Sequence, residues 1–337
     1  MTERQMTFRQ FLLQDRRENG SSKDLIFLLE DVATACRIIS NHIRSGAFSD
    51  SLGATDITNV QGETQKQLDV IANDEFVRHC SNCGRVAALV SEEVDEVYWL
   101  KDTPKAGDFV VYFDPLDGSS NLDVNLSVGS IFSVVETKEA LDPTDDASVL
   151  IRGSDQICAG YAIYGPSTAL IITTGNGVNG FTHQQGTGEF RLTYRDMTIP
   201  VQTQEFAINA SRRRYWEAPV QRYFDECLAG EDGPRGAYFN MRWTASMVAE
   251  VHRILTRGGV FLYPIDSANR DQGGKLRLMY EANPMGLVVE QAGGAASTGH
   301  QRIMDVEPTS HHQRVSVILG SKDEVALIDG YHNDASH

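Results

Sequence analysis

The chain has 337 residues, 46 acidic against 30 basic, a net charge of −16, and a hydrophobic fraction of 41% with 23% charged. These values exclude collagen-like, disulfide-scaffold and largely disordered classes, and the acidic balance argues against nucleic acid, whose binding draws on Lys and Arg neutralising phosphates. No run approaches the 18 apolar residues of a membrane span, and the charged start MTERQMTFRQFLLQDRRENG has no signal-peptide core, so the chain reads as soluble and cytoplasmic.

Leu25, Leu28, Leu29, Val32, Cys36, Ile39 and Ile43 recur at spacings of three and four, which predicts a helix ended by Gly46. A second helix is expected from about Leu68 to His79. Asp69 and Asp74 lie five apart on it, about 140° around the axis, so they do not share a face and one enters a site from the first turn. Cys80 and Cys83 form a C-x-x-C beside His79, but a zinc ribbon needs a second such pair and the chain has none. The five cysteines read as ordinary thiols. Glu92 and Glu93 end the apolar run of ALVSEEV, where strand alternation would send them to opposite faces.

FVVYFDPLDG predicts a buried strand broken at Pro115, followed by a strand over SVGSIFSVVE. LDPTDDAS at 141–148 is polar and linker-like. Two hairpins are expected, turning at Gly165-Pro166-Ser167 and around Gly186-Thr187-Gly188. Gly175, Gly177 and Gly180 match G-x-G-x-x-G, but no helix pattern follows, so a dinucleotide cradle is rejected. A domain boundary is placed near residue 195, giving an N-terminal helix-plus-sheet domain (1–195) and a C-terminal α/β domain (196–337). SMVAEVHRILTRGG predicts a helix stopped by Gly258 and Gly259, and VSVILGSKDEVALIDGYH a last strand feeding a last helix. His311 and His312 read as surface residues.

The most informative segment is YFDPLDGSSN, 112–121. Asp114 and Asp117 bring two carboxylates to the end of a strand, with the Leu116 carbonyl between them, a hard-oxygen set suited to Mg²⁺ or Mn²⁺. Gly118, Ser119 and Ser120 then offer backbone N–H groups and hydroxyls to an anion. A cation site beside a phosphate site points to metal-assisted phosphoryl chemistry. The competing reading is a turn whose aspartates satisfy local backbone donors. In GGKLRLMYEANPMG, Arg277 and Glu281 would share a face if helical, facing either a site or solvent as an ion pair. Lys275, the Arg212–Arg214 run and Arg242-Trp243 are basic groups able to meet a sugar phosphate.

Taken together, LDVIAND (68–74), LVSEE (89–93), FDPLDGSSN (113–121), SMVAEVHR (246–253), GGVFLYP (258–264) and GKLRLMYEANPM (274–285) resemble class I fructose-1,6-bisphosphatase over nearly the whole chain. The resemblance implies a layered αβαβα sugar-phosphatase sandwich of the α/β class and hydrolysis of the 1-phosphate of fructose 1,6-bisphosphate, in gluconeogenesis or the Calvin cycle. The alternatives are a sedoheptulose-1,7-bisphosphatase or dual enzyme, and a catalytically silent sugar-phosphate-binding homologue. It implies Mg²⁺, with Mn²⁺ as a substitute, on Asp69, Glu92, Asp114, the Leu116 carbonyl, Asp117 and Glu281, and water activation by Asp74 and Glu93. Asp117 to Ser120 would hold the scissile phosphate. Asn209, Arg212, Arg242, Trp243, Tyr263, Lys275 and Arg277 would hold the sugar and the 6-phosphate, with Arg242 reaching in from a neighbouring subunit of a homotetramer. Arg212 and Trp243 replace the family's tyrosines. At positions matching the family's AMP site the chain has Asp108, Phe109, Glu136 and Ile26, so AMP is not expected to act there.

Overall fold

The computed structural model describes residues 6–45, 54–58 and 64–335, with backbone alone for 54–58 and 64–66. Apolar side chains three and four apart wind the first part into α1 (Phe8–Asn19), α2 (Lys23–Ser45) and α3 (Gln67–Cys80). Thr7 and Gln10 form a reciprocal capping box at the start of α1, satisfying backbone donors that a helix end leaves open. Gly46, expected to end α2, lies outside the described residues.

The chain then builds a small antiparallel pair, β1 (Ala54–Thr58) and β2 (Thr64–Lys66). After α3 come β3 (Val86–Ser91), β4 (Tyr98–Trp99), β5 (Phe109–Asp117), β6 (Val128–Glu136), β7 (Gln156–Tyr164), β8 (Thr168–Thr173), β9 (Asn179–Gln184) and β10 (Glu189–Tyr194). These eight form one sheet in the order β10-β9-β8-β7-β6-β5-β3-β4, antiparallel throughout except for the β3–β5 pair. A second sheet of five strands uses β11 (Glu205–Ile208), β12 (Asn240–Met241), β13 (Val260–Tyr263), β15 (Ala295–Ser297) and β17 (Val317–Gly320) in the order β12-β11-β13-β17-β15. β14 (Leu276–Arg277) pairs with β16 (Arg314–Val315). The remaining α-helices are α4 (Ala218–Leu228), α5 (Met247–Arg257), α6 (Asn283–Gln291) and α7 (Lys322–Ala335).

Alternation along the strands decides the layering. Phe109, Val111 and Phe113 of β5 pack with α1, α2 and α3 on one side of the large sheet. On its other side, Ile131, Tyr161 and Ile171 meet α5 and α6, which in turn cover Ala207, Phe261 and Leu319 of the small sheet. The opposite face of the small sheet, with Phe206, Ile208, Val260 and Leu262, buries α4 and α7. The order helix, sheet, helix, sheet, helix is therefore the expected αβαβα sandwich. Both hairpins form at the expected turns, with Tyr164 opposite Thr168 and Gln184 opposite Glu189.

Four local expectations are corrected. β5 is not broken at Pro115: it runs on to Asp117 and absorbs the extra residue as a bulge, with Asp114 opposite Ile131 and Asp117 opposite Gly129. The stretch 141–148 is no linker but a loop between neighbouring strands, pinned where Trp99 Nε1 donates to Asp146 Oδ1 (2.8 Å) and His311 Nε2 meets the Asp146 carbonyl (2.8 Å). His311 and His312 are half-buried rather than on the surface, His312 Nδ1 lying 2.7 Å from the Tyr280 hydroxyl. Finally, the region of Arg277 is not one helix: β14 leads into a π-helical turn, Leu278–Ala282, and only then into α6. The glycine motif behaves as expected, since Gly175 and Gly177 take positive φ in the turn between β8 and β9 and no helix follows.

Candidate active site

The bulge in β5 sets the geometry of the site. It lets both Asp114 and Asp117 reach the same end of the strand, where Leu116 N–H donates to Asp114 Oδ1 (3.0 Å) and the Ser130 hydroxyl donates to the Pro115 carbonyl (2.7 Å). Gly118 then reverses the chain at φ +75°, and a side chain there would meet Ser246 Cβ at 2.8 Å, so the turn requires glycine. Ser119 opens the short helical turn that follows.

A cavity of 450 Å³ opens at this point. Asp69, Glu92, Glu93, Asp114, Asp117 and Glu281 line it together with Leu116, Gly118, Ser119 and Ser120, and Asn209, Trp243, Tyr263, Lys275 and Arg277 line it as well. Asp69 enters from the first turn of α3 and is buried. Glu92 and Glu93 follow the last residue of β3, so strand alternation does not send them to opposite faces, and both line the cavity, where the resemblance puts them.

Carboxylate oxygens of Asp114, Asp117 and Glu281 lie within 4.8 Å of one another. Burial, then repulsion from Glu92, Asp117 and Glu281, holds the Asp114 carboxyl far above the usual range. Burial and Glu92 push Glu281 up to about 8. Asp117 is pushed by burial up to about 6, against the pull of the donors it accepts from. Those donors are the Ser246 hydroxyl (2.6 Å) and the backbone N–H groups of Met247 (3.2 Å) and Val248 (2.9 Å), the open N-terminus of α5. All-oxygen donors, buried and crowded enough to resist ionisation unaided, fit a hard divalent cation.

Arg277 sits inside this cluster rather than at its rim. Its backbone N–H donates to Glu281 Oε2 (2.6 Å), and its Nη1 lies 3.1 Å from Glu92 Oε1 and 4.0 Å from Glu281 Oε2. Burial would lower its pKa, but these carboxylates outweigh it and the guanidinium stays charged. Arg277 and Glu281 thus meet as expected, although through a strand and a π-turn. One wall of the cavity is aromatic, Trp243 lying parallel to Phe261 at 6.1 Å and tilted against Tyr263 at 5.8 Å.

Three expected site residues are not brought into the cavity lining. Asp74 is exposed on α3. Arg212 turns to Asp266 in a two-pronged pair, 2.6 and 2.7 Å, because the buried Asp266 carboxylate is the nearest complement to its fork. Arg242 is exposed, with Glu205 at 3.7 Å. Conversely, the α5 N-terminus was missed by the sequence reading. Its signal is Ser246, an N-cap residue immediately before an apolar periodic run. Ala245, just ahead of it, lines the cavity at φ +56°, a backbone conformation that non-glycine residues avoid.

Known proteins share this fold. Residues 6–195 match the family model described as fructose-1-6-bisphosphatase, N-terminal domain, and residues 199–333 match that described as fructose-1-6-bisphosphatase, C-terminal domain. The chain is similar to Leishmania major fructose-1,6-bisphosphatase in its holo form, with 34% identity, a TM-score of 0.90, and coverage of 98% of this chain and 99% of that one. The T-state of the same enzyme matches at 33% identity and a TM-score of 0.86, and the apo form at 33% and 0.85, each with the same coverage. Fold and site thus define a phosphatase of mixed α/β class, acting on a phosphate monoester, with an acidic cluster able to hold metal. Within that class, the chain belongs to the fructose-1,6-bisphosphatase family.

Proposed function

We propose that this chain hydrolyses the 1-phosphate of D-fructose 1,6-bisphosphate to fructose 6-phosphate and phosphate, with Mg²⁺, or Mn²⁺ in its place, on Asp69, Glu92, Asp114, the Leu116 carbonyl, Asp117 and Glu281. The observation that carries this reading is the convergence of six acidic side chains, the Gly118–Ser120 turn and the Lys275 side of the rim on one cavity. A divalent ion there would polarise the phosphate and offset charge on the leaving oxygen. The Gly118–Ser120 turn and the hydroxyls of Ser119 and Ser120 hold the scissile phosphate, while Asn209, Tyr263 and Lys275 orient the sugar against Trp243.

Glu93 accepts the proton of the attacking water as its oxygen bonds to phosphorus and the phosphorus–sugar oxygen bond breaks. This step falls to Glu93 because Asp74 stands outside the cavity lining. Arg277 balances the charge of Glu92 and Glu281 and so holds them in place. Arg242, exposed on its own protomer, serves a neighbouring copy in a cytoplasmic homotetramer. AMP is no inhibitor at the Asp108 region, where Asp108 is bound to Lys101 Nζ at 2.7 Å.

The test is phosphate release from fructose 1,6-bisphosphate and sedoheptulose 1,7-bisphosphate side by side, with Mg²⁺ or EDTA, and with AMP added. Metal-dependent release from the fructose substrate, unaffected by micromolar AMP, is expected. No release from folded, metal-supplied protein would overturn the reading, and a faster rate on the seven-carbon substrate would reassign the substrate.

A further inference from the structure

Outside the lining of the acidic cavity, three elements bring two imidazoles and a carboxylate together. Glu217 caps α4, His300 lies in the turn after β15, and His332 lies in the last turn of α7. One ligand atom from each lies within 4.8 Å of the other two. The His300 and His332 rings meet edge to face at 5.1 Å between centroids.

The surroundings hold each donor in a usable form. His332 is buried, and its Nδ1 meets the Ile328 carbonyl at 2.9 Å, which puts the proton on Nδ1 and the lone pair on Nε2. Gly299, at φ +95°, lays its backbone against the same ring, and a side chain there would stand 3.1 Å from Nε2, so the glycine keeps the turn that carries His300 seated over His332. Arg270 Nη2 holds one oxygen of Glu217 at 2.6 Å and so orients the other. Asp329, three residues before His332 on α7, accepts from the Ser297 hydroxyl at 2.7 Å. His300 is exposed and gives an ion its way in.

We propose that Glu217, His300 and His332 form a binding site for a borderline transition-metal ion, Zn²⁺ foremost, independent of the carboxylate site in the catalytic cavity. Two imidazoles and one carboxylate are a set that binds zinc and that Mg²⁺ does not prefer. Ligands about 2.1 Å from a tetrahedral zinc stand roughly 3.4 Å apart, so the ion draws the three together, with the exposed His300 side chain moving most. The fourth position stays open to water. Bound there, the ion ties the start of α4 and the turn after β15 to the C-terminal helix and acts as a structural clamp.

The test uses the full chain, stripped with EDTA and returned to excess Mg²⁺ so that the all-oxygen site is filled. One arm adds Zn²⁺ and reads thermal unfolding. A rise on the order of 5 °C is expected at a hundredfold excess over Kd, lost in His300→Gln and retained in Asp114→Asn. The second arm adds Cu²⁺ and reads electron paramagnetic resonance, where coupling to two nitrogens is a signature that carboxylates cannot give. The two-nitrogen pattern should be lost in His300→Gln, which leaves one imidazole at most. No rise in the wild type, or a rise or nitrogen signal unchanged in His300→Gln, overturns the proposal.

Discussion

Asp114 shows how a single residue can serve function against stability. Its carboxyl is buried beside Glu92, Asp117 and Glu281, and every one of these neighbours opposes its ionisation. Asp114→Asn is therefore expected to raise the unfolding midpoint in EDTA while lowering turnover more than about 100-fold, since even an outer-shell partner of a metal is worth 10–100-fold. Calorimetry in EDTA and phosphate release in Mg²⁺ check both halves, and a midpoint below wild type would show that repulsion is not what the cluster feels. Glu93 and Asp74 separate by position: Glu93→Gln should cut kcat by about 10²–10⁴-fold, whereas Asp74→Asn should leave it within a few-fold, and the reverse order would move the proton transfer to Asp74. Asp108 makes a stability prediction at the opposite end of the sheet. Burial raises its carboxyl, but the Lys101 ammonium, the Lys105 backbone N–H and Arg85 outweigh this, so its folded pKa lies below the ordinary aspartate value. A depressed acid stabilises the fold above its unfolded pKa, and that contribution fades as pH falls through the folded one. Asp108→Asn should thus cost about 1–2 kcal/mol at pH 7, with the gap to wild type closing below about pH 4; a gap independent of pH in denaturant titrations would rule the charge out as its source.

The α5 N-terminus and the β5 bulge act as a pair of elements holding one carboxylate. Asp117 takes two backbone donors and the Ser246 hydroxyl from the start of α5, so the helix end both orients the carboxylate and offsets its charge. Gly118 makes the pairing possible by letting the chain turn under Ser246 Cβ. Gly118→Ala puts a side chain 2.8 Å from that carbon at φ +75°, a strain of roughly 1–2 kcal/mol before the contact is counted. The expected result is a loss of turnover larger than the loss of stability, because relief of the contact moves Asp117 off its donors; a variant with wild-type kcat would show that the turn's position does not matter to the chemistry. Helices such as α2 and α5 were legible from spacing because a single apolar stripe decides both their existence and their facing. The bulge was not, since DPLD reads as a turn by its letters, and only the register of β6 shows that the strand continues past proline.

Across the whole molecule, the cavity exists only where the layers meet. Its walls come from α3, the loop after β3, the end of β5, the start of α5, β13, β14 and the π-turn, segments up to about two hundred residues apart. Removing divalent metal should abolish turnover and lower the unfolding midpoint together, since an ion that binds the folded cluster alone shifts both. Re-addition of Mg²⁺ should restore them in parallel, and recovery of one without the other would place the stabilising ion elsewhere. What the sequence determined by itself was local: which segments are helix or strand, that oxygen donors cluster around DPLDGSSN, and, through six ordered motifs, the resemblance to a family. The tertiary structure decided which side chains meet. It turned Arg212 onto Asp266, set Arg277 among the carboxylates instead of at the rim, left Asp74 outside, and brought Glu217 to two histidines near the other end of the chain. Periodicity reports the facing of one element against its own neighbours, whereas charged groups choose partners by distance and desolvation across the fold, and neither quantity is written in the order of the residues.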